Sequence, residues 1–239
     1  MAPSVRVVPA GAFGDACLAA LVEAVGGRPS PAVGLPTGNT PVPLYTALDS
    51  AVRAGRLGVA DWRPIAIDEY GGPPGHVCSN GAFFRRHWDT IPGAPMVAQF
   101  DPSAEDRHAE AARLAAVVAD GGGLDVALLG IGLNGHLAFN EPGSLRESTA
   151  RVVELHAASR QSARACWGDA TPTWGLTLGL RELLGAQRVV VMANGPAKAE
   201  IVRRAIEGPQ SEDCPASLAK PGAATAWMLD EDAAALLSR

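Results

Sequence analysis

The sequence predicts an α/β protein built on a modified doubly wound, Rossmann-like, mostly parallel sheet flanked by helices. Three observations carry that prediction. Short β-branched runs alternate with longer Ala/Leu-rich amphipathic segments, the pattern of parallel strands joined by crossover helices. In VALLG and RVVVM the apolar residues run on without alternation, as strands covered by helices on both faces require. The 239 residues, 47% hydrophobic and 19% charged, suit one large domain with a substantial core and exclude disorder as the main state.

Taken in chain order, VRVV at 5–8 reads as the first strand, and 15–25 carries apolar residues at helical spacing. AVGL at 32–35 is a strand and 41–54 an amphipathic helix opened by a proline. Strands are expected at 64–67 and 97–100, then a helix over the Ala-rich stretch 104–119. DVALL at 125–129 and RVVVM at 188–192 belong near the sheet centre, with further strands at 151–155 and 224–228. Helical spacing returns at 196–206 and 231–237. No repeat, low-complexity tract or polar linker divides the chain, so one domain, 1–239, is expected. The stretch 144–174 has weak periodicity, several small residues and Arg146, Arg151, Arg160 and Arg164. It reads either as a mobile flap over a site or as an irregular solvated connection.

Composition removes several function classes. The balance of 20 Lys+Arg against 25 Asp+Glu gives −5, and no Lys/Arg block exists, so nucleic acid is not an expected partner. The most apolar region, 124–139, is broken by Asp125, Asn134 and His136, so no membrane crossing is expected. MAPSVRVVPAG lacks a charged segment followed by an apolar one, and a cytoplasmic placement is expected. Cys17, Cys78, Cys166 and Cys214 are scattered, without C-x-x-C or Cys/His spacing. Reduced thiols are therefore expected rather than a disulfide framework or a zinc site.

Four places join a strand end to polar residues that local structure does not need, and strand carboxyl ends are where open α/β sheets bind ligands. GLPTGNTP, with Gly38, Asn39, Thr40 and Pro41, lies between a strand and a helix. Pro41 fits the first helical position, Thr40 can cap, and the turn offers backbone N–H groups to an anion such as a phosphate. It lacks the Lys-Ser/Thr of a nucleotide loop, and routine turns share the composition. After RPIAI come Asp68, Glu69 and Tyr70. Neighbouring strand residues diverge, so one carboxylate faces a ligand, with Asp68 either a general base or a turn cap.

The third place, GIGLNGHLAFNEPG, contains a literal G-x-G-x-x-G, but Pro142 stands where a dinucleotide-binding helix would run. What it does gather is Asn134, His136, Asn140 and Glu141. An imidazole beside a carboxylate can move protons near neutral pH, although a lone histidine is often structural. Lys198, in NGPAK, opposes the dipole of the helix it opens, which points to an anionic ligand or to plain solvation. His76, His87, His108 and His156 have no such company and receive no role.

Together, GLPTGNTP, DEYGG, LLGIGLNGHLAFNEPG and GPAK stand in an order and spacing similar to the glucosamine-6-phosphate deaminase family, within the wider group that includes 6-phosphogluconolactonases. NGHLAFNEPG is the specific part, because the lactonases as a rule lack the FNEP. The resemblance implies aldose–ketose isomerisation and hydrolytic deamination of an amino sugar phosphate, most simply glucosamine 6-phosphate to fructose 6-phosphate and ammonia. It implies no metal and no organic cofactor. Asp68 then matches the acid/base at C2, His136 the ring-opening residue and Glu141 its carboxylate partner, with Gly38, Asn39, Thr40 and Lys198 at the phosphate. Asn134 stands where some members have aspartate, leaving an amide able to orient the His136 ring without adding charge. Either Arg160 or Arg164 occupies the place of a second phosphate arginine. The chain ends early relative to longer members, so a monomer or small homo-oligomer without hexamer-based control is expected. The rival readings are a 6-phosphogluconolactonase and a non-catalytic sugar-phosphate-binding effector domain.

Overall fold

Buried β-branched runs pair side by side in the computed structural model, which describes residues 4–73 and 75–238. The first half contributes β1 (Val5–Val8), α1 (Phe13–Val25), β2 (Ala32–Leu35), α2 (Val42–Arg53), β3 (Arg63–Ala66), β4 (Asp68–Tyr70), α3 (Asn80–His87) and α4 (Arg107–Asp120). The second contributes β5 (Val126–Gly130), β6 (Arg151–Glu154), α5 (Ala157–Trp167), β7 (Trp174–Thr177), α6 (Leu180–Leu184), β8 (Arg188–Ala193), α7 (Ala199–Glu207) and β9 (Thr225–Asp230). Six strands form a parallel sheet in the order β1-β9-β8-β5-β2-β3.

The central strands are covered on both faces, as their unbroken apolar runs require. Val126 and Leu128 of β5 enter one core with α1 and α2, through Leu21, Leu44 and Tyr45. Ala127 and Leu129, pointing the other way, join a second core with Leu114 of α4 and Val202 of α7. From β2 the chain proceeds outward to β3, whereas from β5 it proceeds to β8 on the other side. The loops after these neighbours therefore part, and the parting opens a crevice at their carboxyl ends.

Beyond β3 the chain changes sheets. Ile67 donates its N–H to Leu35 O (3.4 Å) and accepts from Leu178 N (2.8 Å). β4 then starts an antiparallel sheet ordered β4-β7-β6. The expected strand at 64–67 thus ends one residue early, because Ile67 bridges the two sheets.

Several boundaries differ from expectation. At 97–100 only Ala98 exchanges ladder bonds with β3, while the outward carbonyls of Pro95 and Gln99 accept from the side chains of Trp88 and Arg113. Residues 231–237 form successive turns instead of the expected helix, with Asp230 Oδ1 accepting from Ala233 N at 2.8 Å. The segment 196–206 divides into a 3-10 turn, Pro196–Lys198, followed by α7. The stretch 144–174 contains β6 and α5. The buried positions of α5 are Ser159, Ala163 and Trp167, four residues apart, and two small residues leave little apolar signal. Helix α3, unforeseen, is capped by Ser79, whose hydroxyl accepts from Ala82 N (3.1 Å).

The expectation of four reduced thiols is overturned. Cys78, in the turn before α3, and Cys166, in the last turn of α5, form a disulfide across 88 residues with a Cα–Cα separation of 6.0 Å. Chain spacing could not show it, because the approach arises from packing: Trp167 stacks on His76 (4.0 Å) and lies against Tyr70 of β4. Cys17 and Cys214 are buried and free. A denatured, non-reduced sample should titrate two thiols and a reduced sample four. Cys166→Ser should lower unfolding free energy by about 2–4 kcal/mol through the less constrained unfolded chain, read as a shift in denaturation midpoint. Four thiols without reductant would refute the link.

Candidate active site

The crevice holds a cavity of about 640 Å³. Its walls include Gly38, Asn39 and Thr40 from the loop after β2, Asp68 at the start of β4, His136 from the loop after β5, and Lys198. Six of the eight residues singled out in the sequence therefore share one wall system. The other two, Asn134 and Glu141, stand behind His136 (Asn134 Nδ2 to Glu141 Oε2 is 2.8 Å).

At one end the loop turns at Gly38, whose φ of +91° favours glycine. Val42 N donates to Asn39 O (3.3 Å), so α2 starts at Val42 and Pro41 is its N-cap. The expectation that Thr40 caps the helix is corrected: the turn displaces the start by one residue, and no side chain caps it. Thr40 lines the cavity instead. Lys198 ends the 3-10 turn after β8 and donates Nζ to Ile131 O (2.6 Å). Burial lowers its pKa. Asp230 holds that turn by accepting from Gly195 N at 2.9 Å. Neither Arg160 nor Arg164 lines the cavity; both border an outer groove on α5, where Arg164 lies 3.9 Å from Asp169. Among the described residues the arginine on the cavity wall is Arg86 of α3, an element not expected from the sequence.

Opposite fates meet the adjacent carboxylates Asp68 and Glu69. Glu69 turns into the start of α3, accepting from Tyr70 N, Asn80 N and Gly81 N, each at 2.8 Å. Asp68 turns to the cavity and is 8% exposed. Its Oδ1 accepts from Asn80 Nδ2 (2.6 Å), and among the described residues no protein donor reaches Oδ2. Burial, reinforced by the Glu69 charge, pushes the Asp68 carboxyl up to about 8. Such a group can hold a proton near neutrality and release it to become a base.

The glycine loop folds back through Gly132 N to His136 O and Gly135 N to Gly132 O, both 3.0 Å. A side chain at Gly132 would reach within 2.5 Å of His136 Nδ1 and Nε2, so glycine there makes room for the ring. No helix follows the glycines; Leu137 and Asn140 form a bridge instead. His136 Nδ1 lies 3.3 Å from Glu141 Oε2 and 3.2 Å from Ser159 Oγ. Its Nε2 has no protein partner among the described residues. Burial raises the Glu141 carboxyl, but His136, Ser159 and Asn134 outweigh it and hold it down at about 2. The Asn134 side chain makes no hydrogen bond to the imidazole ring among the described residues. Its Nδ2 donates to Glu141 and its Oδ1 accepts from His136 N (3.2 Å), because the loop turns its side chain toward the carboxylate. The amide therefore orders the partner of the ring, not the ring. Ser159 was not foreseen, and only its four-residue spacing with Ala163 and Trp167 hinted at a face of α5 turned inward.

The chain is similar to known proteins. A glucosamine-6-phosphate deaminase of Rhodopirellula baltica is 35% identical over 225 residues, covering 92% of this chain and 89% of that protein. A solved monomeric glucosamine-6-phosphate deaminase superposes with a TM-score of 0.89 at 28% identity, covering 98% and 99% of the two chains. A 6-phosphogluconolactonase of Trypanosoma brucei shares the fold, with a TM-score of 0.73 at 23% identity and 99% of each chain covered. The sequence model described as glucosamine-6-phosphate isomerases/6-phosphogluconolactonase matches residues 9–228, and the chain belongs to that family.

Proposed function

We propose that the protein is a glucosamine-6-phosphate deaminase, converting glucosamine 6-phosphate and water to fructose 6-phosphate and ammonia. The observation that carries this reading is Asp68: a buried carboxyl at the cavity with one oxygen held and the other without a protein donor among the described residues. A lactone hydrolysis needs no base at a sugar C2, whereas an aldose–ketose isomerisation does. The names of the relatives at 30–35% identity support the same choice, and every residue assigned comes from one chain.

The 38–40 loop and the Lys198 ammonium hold the phosphate, fixing the far end of the substrate. His136, with Nδ1–H directed to Glu141, takes the anomeric hydroxyl proton on Nε2 and returns a proton to the ring oxygen, opening the pyranose. Asp68 removes the C2 proton while O1 takes a proton from the substrate ammonium, forming an enolamine, and Asp68 then delivers its proton to C1, leaving a protonated imine at C2. Water adds to that carbon, and ammonia departs as the ketone forms. Anchoring both ends turns the proton transfers into oriented intramolecular steps.

Ammonia release from glucosamine 6-phosphate, measured beside lactone hydrolysis, tests the assignment. Asp68→Asn should lower kcat by at least about 10²-fold with KM little changed; retained turnover would make Asp68 a turn residue. The active form of Asp68 is the carboxylate and its pKa is raised by burial, so kcat/KM should climb with pH until the group ionises at about 8. A profile already flat from pH 5 would remove Asp68 from the rate-limiting chemistry. Lys198→Ala should raise KM for the phosphorylated sugar by about 10- to 100-fold, the loss of a contact of about 1.5–3 kcal/mol. Unchanged kinetics would place Lys198 outside the phosphate site.

A further inference from the structure

We propose that Asn80 is a positioning residue, whose side-chain amide locks the Asp68 carboxylate in the orientation that turns its second oxygen to the cavity. The inference rests on the reading of Asp68 as the base at C2. Asn80 Nδ2 donates at once to Asp68 O (2.9 Å) and to Asp68 Oδ1 (2.6 Å). One nitrogen bridging the main-chain and side-chain oxygens of a single residue ties the carboxylate to its own backbone. The tie removes the rotation that would otherwise let the group swing away from a substrate carbon.

Asn80 is itself held rigidly. It is 4% exposed, its N–H donates to Glu69 Oε1 (2.8 Å), and it is the first residue of α3. Capping does not explain its side chain. The cap is Ser79, so the Asn80 amide is directed back onto β4 and away from the helix amides. The adjacent carboxylates are thus organised by one helix start in two ways: Glu69 receives backbone N–H groups, and Asp68 receives a side chain. Glu69 fixes where α3 begins, and α3 then fixes the group that aims Asp68.

The charged surroundings of Asp68 are Glu69 and Tyr70 on its own strand and Arg85 of α3 beyond Glu69. Arg86, His87, His136 and Lys198 share the cavity, and Glu141 acts on Tyr70. None of them donates to Asp68 among the described residues, so the Asn80 amide is the donor that favours the carboxylate form.

The test compares wild type, Asp68→Asn, Asn80→Ala and Asn80→Leu by ammonia release from glucosamine 6-phosphate, each variant checked for folding by circular dichroism. The two Asn80 substitutions keep the backbone N–H that serves Glu69. Expected for both is a fall in kcat of about 10- to 100-fold, KM within about threefold of wild type, and an acid limb of kcat/KM moved to higher pH by about one unit. A folded variant with wild-type kcat and an unmoved limb overturns the proposal. A raised KM at constant kcat also overturns it, by making Asn80 a substrate-binding group. A wild type that releases no ammonia, or an active Asp68→Asn, refutes the reading of the reaction, and the inference falls with it. With the wild type active and Asp68→Asn inactive, either of those two Asn80 outcomes refutes the inference alone.

Discussion

Ile67 is bound through both backbone groups to different sheets, by its N–H to Leu35 at the end of β2 and by its carbonyl to Leu178 after β7. The crossing places the next residue, Asp68, at the rim of the crevice that the parting loops after β2 and β5 create. From the same crossing, β4 pairs with β7, and β7 with β6. That pairing brings α5, which follows β6, to the far wall of the cavity, where Ser159 meets His136 and Cys166 meets Cys78. The small antiparallel sheet thereby joins the Asp68 side of the site to the His136 side.

Its chemistry follows from two carboxyls driven in opposite directions. Asp68 is buried with one side-chain donor and a like charge next to it, and its pKa rises to about 8. Glu141 is also buried, but an imidazole, a hydroxyl and an amide gather on it and hold it at about 2. Groups set so far apart can divide acid/base work within one site. The proposed deaminase needs that division, because Asp68 must exchange a proton while Glu141 stays charged behind His136.

Glu69 shows how structural and chemical demands are separated along the same strand. Although adjacent to Asp68, it seats the start of α3 through Asn80 N and Gly81 N. Alternation along β4 sends one carboxylate to the helix and the other to the crevice. Fold and function thus meet in consecutive residues without competing for the same contacts.

Much was determined by sequence alone, because it depends on local patterns. Uninterrupted apolar runs marked β5 and β8 as central strands, and the glycines and polar residues at the ends of β2 and β5 marked the crevice. Those loops are short and carry their own conformational demands, such as the positive φ of Gly38, so Gly38, His136 and their neighbours were legible. Tertiary structure decided the contacts between segments far apart in the chain. The disulfide, Ser159 on His136 and the presence of Arg86 in place of Arg160 or Arg164 all follow from how α3 and α5 pack. In α5 two of the three inward residues are small, and in the eight-residue α3 the inward aromatics Phe83 and Phe84 are adjacent, so neither helix leaves a clear helical repeat. Asn80 reads in sequence as one more polar residue near a glycine; its 2.6 Å contact with Asp68 exists only because β4 and α3 are folded against each other.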